Sequence, residues 1–253
     1  AAQDLLGDVA VLEDTEALVY LDDSGSMSSL LGQYGSNLQS AKAAFEAVVP
    51  RLGSTPCRVV LFGSSKAELS SRTTRLDPSS IMGAWHATSG GTYMWKMIED
   101  DITRRYRPGP GVLRVYVITD GYDVESPPPY AGPKGMDPLM KSLLGSGYNI
   151  QWSIVVVGMN ANDKAARRYK DLCGATGGSF LALHGGKGPS AAPAGTRFLN
   201  EVAQAHSGDE AKARKFAAEK RKEYEREIQA GSAQSFNWYA ALPPPEDDGK
   251  HRK

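Results

Sequence analysis

The chain has 253 residues, of which 41% are hydrophobic and 23% charged. That ordinary globular composition excludes a collagenous, a wholly disordered or a disulfide-built protein. The 29 Lys and Arg are matched by 29 Asp and Glu, so the totals lack the basic excess of a nucleic-acid binder or of a membrane-surface protein.

Residues 1–14 read as a lead-in, without a basic-then-apolar leader. Ala17–Leu21 (ALVYL) is the first strand. It is followed by Asp22-Asp23-Ser24-Gly25-Ser26-Met27. Asn37–Leu52 carries Leu38, Ala41, Phe45, Val48 and Val49 at helical spacing, with Pro50 near its end. Arg58–Phe62 (RVVLF) is a second strand, and the polar run Lys66–Ser71 suits a short edge strand. Gly90-Gly91-Thr92 precedes a helix over Met94–Tyr106, which the Pro-Gly-Pro-Gly run Pro108–Gly111 stops. Leu113–Ile118 (LRVYVI) is a third strand, leading into Thr119-Asp120-Gly121. Gly121–Asp137, with Pro127, Pro128, Pro129 and Pro133, reads as a long surface loop. Asp137 is then placed as the N-cap of a short helix, Pro138–Leu144, with Pro138 at its first position. Ile150–Val157 (IQWSIVVV) is a strand, Asp163–Cys173 a helix stopped by Gly174, and Gly178–Leu183 a weaker strand.

These apolar runs, β-branched or aromatic, are expected to be buried on both faces, as in a parallel sheet. Their alternation with helices predicts an α/β fold: a Rossmann-like three-layer α/β/α arrangement. Gly185–Gly195 reads as a connector, followed by Thr196–His206. A charged, mostly solvated helix is expected from about Asp209 to Ala230, with the ion pair Glu210–Arg214 at i,i+4. The tail Pro243–Lys253 has a disordered composition. The domain proper is placed at 15–206, the charged helix at 207–232 and the tail at 233–253. Cys57 and Cys173 are too few for a disulfide framework and lack Cys-x-x-Cys spacing. Both are expected to be buried thiols, and with them an intracellular setting is expected.

Asp22, Ser24 and Ser26 stand two residues apart, so in an extended turn their side chains point the same way. They leave a strand at the carboxyl edge of the sheet, where open α/β folds bind ligands. Asp120 reaches the same edge, and the glycines before Thr92 let that backbone approach closely. Hard oxygen donors of this kind suit Mg²⁺ or Mn²⁺.

Asp-x-Ser-x-Ser after the first strand, Gly-Gly-Thr before a mid-chain helix and Thr-Asp-Gly after a later strand resemble the von Willebrand factor A domain, the family of the integrin inserted domain. The pattern is similar to that family's metal-ion-dependent adhesion site (MIDAS) at all five positions: Asp22, Ser24, Ser26, Thr92 and Asp120. The resemblance implies a mostly parallel sheet with one antiparallel edge strand. It implies that Ser24 and Ser26 bind a divalent cation directly. Thr92 and Asp120 would alternate between direct and water-mediated contact, and Asp22 would act mainly through its neighbours. It further implies a non-enzymatic module whose Mg²⁺ or Mn²⁺ accepts an Asp or Glu of a protein partner.

Two other functions compete. A phosphohydrolase would need a second carboxylate two residues after Asp22, where Ser24 stands, and a Lys after Ile150–Val157, where Gly158-Met159 stands. A scaffold would act through the charged C-terminal helix without metal. Serine nucleophiles are not expected, since there is no Gly-x-Ser-x-Gly elbow and no histidine placed as base. His86, His184, His206 and His251 show no ligand spacing. Asp23 is expected to face solvent or cap the turn. Asp123 and Glu125 are read as an acidic loop, a second cation site being the lesser alternative. Trp95 is expected in the core, whereas Trp85, with His86 and Tyr93, is a candidate border of the metal face.

Overall fold

The structure is a computed structural model and describes residues 10–29, 31, 36–49, 52–63, 66–88, 90–121 and 123–183. The expected connector, charged helix and tail, with His184, His206 and His251, lie outside the described residues.

In chain order the elements are β1 (Ala10–Val11), β2 (Glu16–Asp22), α1 (Asn37–Val48), β3 (Cys57–Phe62), β4 (Lys66–Thr73), α2 (Pro78–Ala84), α3 (Trp95–Arg105), β5 (Tyr106–Arg107), β6 (Leu113–Thr119), α4 (Met136–Gly145), β7 (Ile150–Val157), α5 (Lys164–Ala175) and β8 (Phe180–Leu183). Six strands form one sheet in the order β4-β3-β2-β6-β7-β8. All neighbours are parallel except the edge pair β3/β4. β1 and β5 form a separate small parallel pair.

Alternation along β2 splits the core in two. Leu18 and Tyr20 pack with Ile98, Ile102, Leu139, Leu143, Tyr169 and Leu172, so α3, α4 and α5 cover that face. Ala17, Val19 and Leu21 pack with Ala41, Phe45, Val48 and Ile81, so α1 and α2 cover the other. β6 and β7 are buried along their whole length, which is why they lack the polar alternation of a half-exposed strand. The polar β4 is the exposed edge, as its composition predicts. Cys57 and Cys173 are buried and take part in no disulfide among the described residues.

Several boundaries differ from the sequence reading. α4 begins at Met136 with Gly135 as N-cap. Asp137 lies inside the first turn, and its carboxylate takes a two-pronged grip from Arg168 of α5 at 2.8 and 2.7 Å. α5 runs through Gly174 to Ala175, and the chain reverses at Gly177, φ 71°. α2 was not expected, although Asp77 caps it and Pro78 opens it.

From β2 the chain builds outward through β3 and β4; from β6 it builds the opposite way through β7 and β8. The sheet order therefore reverses between β2 and β6. The crevice beyond their carboxyl ends is the topological switch point, where α/β sheets have room for a ligand. Leu21 pairs with Ile118 and Asp22 with Phe62, so the loops leaving β2, β3 and β6 open side by side.

Candidate metal centre

Asp22 is the last residue of β2 and is fully buried. Its Oδ1 accepts from the Ser24 backbone N–H at 2.8 Å, its Oδ2 from the Thr119 hydroxyl at 2.6 Å, and its carbonyl from Trp85 Nε1 at 2.7 Å. The chain then turns through a 3-10 segment, Gly25–Ser28, anchored by the buried Met27. That turn brings the Ser24 and Ser26 hydroxyls within 3.1 Å of each other. Ser26 Oγ donates to Asp120 Oδ1 at 2.9 Å. A continuous file of oxygens therefore runs Ser24, Ser26, Asp120. Ser24 is buried, Asp120 half-buried, and Ser26 between them exposed.

Thr92 reaches the same place through backbone contacts. Gly25 N–H donates to the Gly90 carbonyl at 2.8 Å, and the Val124 and Glu125 N–H groups donate to the Thr92 carbonyl at 3.1 Å each. Gly91 lets the Glu125 side chain lie against the backbone here; a Cβ would push that carboxylate aside. The Thr92 residue is 5% exposed, and among the described residues its hydroxyl makes no hydrogen bond. Asp22, Ser24, Ser26 and Asp120 are thus joined directly, and Thr92 is held beside them by its neighbours.

Burial pushes the Asp22 carboxyl up to about 6; hydrogen bonds from Ser24 and Thr119 oppose this, and the Asp120 charge adds a smaller push. Asp120 is also raised, by burial, against hydrogen bonds from Asn37 and Ser26. The penalty at this site is therefore mainly desolvation, ahead of the like-charge repulsion that proximity alone implies. A divalent cation relieves both. Adjacent oxygens of an octahedron with metal–oxygen bonds of about 2.1 Å lie about 3.0 Å apart. The 3.1 and 2.9 Å separations along the oxygen file match that edge. Among the described residues no three His, Cys, Asp or Glu side chains gather as a metal site. The two carboxylates here work with neutral hydroxyls, a donor set that fits a hard cation.

Three residues depart from the sequence reading. Asp23 does not face solvent: it is 9% exposed, with its carboxylate beside Gly63 and its carbonyl taking the Thr88 N–H and hydroxyl. Trp85 does not border the metal face: it is buried, edge-on to Phe45 at 6.3 Å, and supports Asp22 from below. His86 is exposed and Tyr93 half-buried. Asp123 is not part of a plain acidic loop: it is fully buried, its Oδ2 accepting from the Met94 and Trp95 N–H groups at 2.9 and 2.7 Å and its Oδ1 from Ser126 N–H at 2.7 Å.

Asn37 was missed. Its Nδ2 donates to Asp120 Oδ2 at 2.9 Å and to the Ser26 carbonyl at 3.3 Å. The Ser36–Gln39 capping box marks the start of α1. No local pattern shows that the next residue reaches a carboxylate 83 positions away.

No protein-family model matches the chain, and no curated protein matches it by sequence. Solved structures do resemble it. A von Willebrand factor type A protein from Catenulispora acidiphila has a TM-score of 0.53 at 18% identity, covering 77% of this chain and 43% of that one. The conserved hypothetical protein BatB from Bacteroides thetaiotaomicron has a TM-score of 0.52 at 20% identity, covering 76% of this chain and 99% of that one. Proximal thread matrix protein 1 from the mussel byssus, solved with a zinc-occupied MIDAS motif, has a TM-score of 0.51 at 15% identity, covering 77% of this chain and 47% of that one. The chain thus spans less than half the length of the first and third of these. Its fold is that of the von Willebrand factor A domain.

Proposed function

We propose that this chain is a divalent-cation-dependent protein-binding module, in which Asp22, Ser24, Ser26, Thr92 and Asp120 hold Mg²⁺ or Mn²⁺. The observation that carries this reading is the Ser24–Ser26–Asp120 oxygen file at 3.1 and 2.9 Å, placed at the switch point of the sheet. The zinc in the mussel protein's MIDAS supports a cation at the corresponding place here, and the all-oxygen donor set favours Mg²⁺ or Mn²⁺ over zinc.

The bound cation would supply a Lewis-acidic position for an incoming carboxylate. The protein's own residues prepare that position. Ser24 and Ser26 are neutral, so they leave the cation's charge largely uncompensated. Asp22, clamped by Ser24 N–H, Thr119 and Trp85, is held behind the serines. Ser26 sits at the exposed rim, where an Asp or Glu side chain of a partner arrives from solvent.

The residues around the site support a non-enzymatic reading. Ser24 takes the place of the second carboxylate that a phosphohydrolase needs, and Gly158-Met159 follows β7 where such an enzyme would place a lysine. The two buried cysteines favour an intracellular setting. Among the described residues no helix is long and apolar enough to cross a membrane. Partner capture from lysate with Mg²⁺, with EDTA, and with the Ser24→Ala/Ser26→Ala variant is the test. Capture lost in the second and third arms is expected. Capture that persists in both moves the function to the charged 207–232 segment, and aryl-phosphate turnover abolished by Asp22→Asn overturns the non-enzymatic reading.

A further inference from the structure

Asp120 has two carboxylate oxygens with different employment. Oδ1 accepts from the Ser26 hydroxyl at 2.9 Å, and Oδ2 accepts from Asn37 Nδ2 at 2.9 Å. The same amide nitrogen donates to the Ser26 carbonyl at 3.3 Å. Both partners are pure acceptors, so the amide has one sensible orientation, with nitrogen toward Asp120. Its Oδ1 faces away, buried and, among the described residues, without a hydrogen-bond partner.

The amide is held firmly. Asn37 is 7% exposed, and its backbone N–H donates to the Ser29 carbonyl at 2.9 Å. The capping box of Ser36 and Gln39 fixes the helix turn that carries it. Behind it lies Gly158, the residue after β7, at φ 80°. A Cβ there would stand 2.9 Å from Asn37 Oδ1 and 3.1 Å from Nδ2. Glycine supplies both the left-handed backbone and the room for the amide.

We propose that Asn37 is a positioning residue that sets cation preference, by committing the second oxygen of Asp120 and so keeping that carboxylate one-pronged. The inference rests on the metal-centre reading above. Ca²⁺ readily takes both oxygens of a carboxylate and six to eight ligands in all, whereas Mg²⁺ demands a compact octahedron with one oxygen from each group. Held by Asn37 at Oδ2 and by Ser26 at Oδ1, the Asp120 carboxylate is fixed in orientation with Oδ1 toward the serines, and turning both oxygens toward one cation would break the Asn37 bond. The device thus favours a small octahedral cation over Ca²⁺.

The test is calorimetric titration of the full chain, separately with Mg²⁺ and with Ca²⁺, for wild type, Asn37→Ala and the nearly isosteric Asn37→Leu, which removes the donor without adding a charge. In both variants Mg²⁺ affinity is expected to fall by about tenfold, the lower end of what supporting groups around a metal contribute, and Ca²⁺ affinity to fall less, so that the Mg²⁺-over-Ca²⁺ ratio drops. A melt in EDTA reports folding independently, and Asn37→Leu carries the test if Asn37→Ala is unfolded. If both affinities drop by one factor and the ratio holds, Asn37 is only structural and the inference fails while the metal centre stands. If wild type binds neither cation, the metal centre itself fails.

Discussion

Asp22 concentrates the energetics of the site in one side chain. Its carboxyl is raised from 3.8 to about 6, first by burial and in smaller part by Asp120. The folded chain therefore takes up a proton that the unfolded chain releases, across the window from about pH 4 to about pH 6. A raised acid stabilises the fold on the acid side of that window, and its contribution is lost as pH climbs through it. In EDTA, wild type is expected to lose up to about 3 kcal/mol relative to Asp22→Asn between those limits. Urea denaturation of the two proteins at several pH values measures the difference; parallel curves would show that Asp22 ionises without penalty. With saturating Mg²⁺ the order reverses, because the cation needs the carboxylate that the variant lacks. Asp22, Ser24 and Ser26 were legible from their two-residue spacing, because that spacing is a local property of extended chain. Asn37 and Trp85 were not, because each acts on a residue far along the chain.

At the scale of elements, α3 shows how the loop after β6 supports the site. Its N-cap, Met94, offers no side-chain hydrogen bond. Asp123 supplies the acceptor from across the fold, taking two N–H groups at the positive end of the helix and a third from Ser126. The same loop clasps the Thr92 carbonyl, so the cap and the fifth site residue are one assembly. Asp123→Ala leaves three N–H donors without their charged acceptor and is expected to cost about 2–4 kcal/mol in urea denaturation. It is also expected to weaken Mg²⁺ binding, by freeing the Thr92 segment. A stability loss below 1 kcal/mol would mean that water replaces the carboxylate and that the loop is not the strut described. The proline-rich composition of 121–137 marked a loop correctly. It concealed a buried carboxylate, because burial of an acidic residue depends on donors that other segments bring.

For the whole molecule, the proposed site makes cation binding and folding one equilibrium. The site draws on the loops after β2, α2 and β6 and on the start of α1, so it exists only in the assembled sheet. A cation present at about 100 times its Kd is expected to add about 2.7 kcal/mol. That corresponds to a melting-temperature rise of about 5–10 °C for a domain of this size. Melting curves in EDTA and in Mg²⁺ check this, and coincident midpoints would remove the cation from the account. Ser24→Ala/Ser26→Ala is expected to abolish the rise while leaving the EDTA midpoint within a few degrees, since neither hydroxyl belongs to the two apolar cores.

Local information sufficed for the strands β2, β3, β6 and β7, the helices α1, α3, α4 and α5 apart from their ends, the polar edge strand β4 and the oxygen-bearing run Asp22, Ser24 and Ser26, because hydrophobic period and turn chemistry are written in neighbouring residues. The place where the strand order reverses, the role of Asp123 at α3, the burial of Trp85 beneath Asp22 and the grip of Asn37 on Asp120 came only with the tertiary structure. Each joins residues between 28 and 97 positions apart. At such separations the partner is chosen by sheet topology and packing, which no single window of sequence contains.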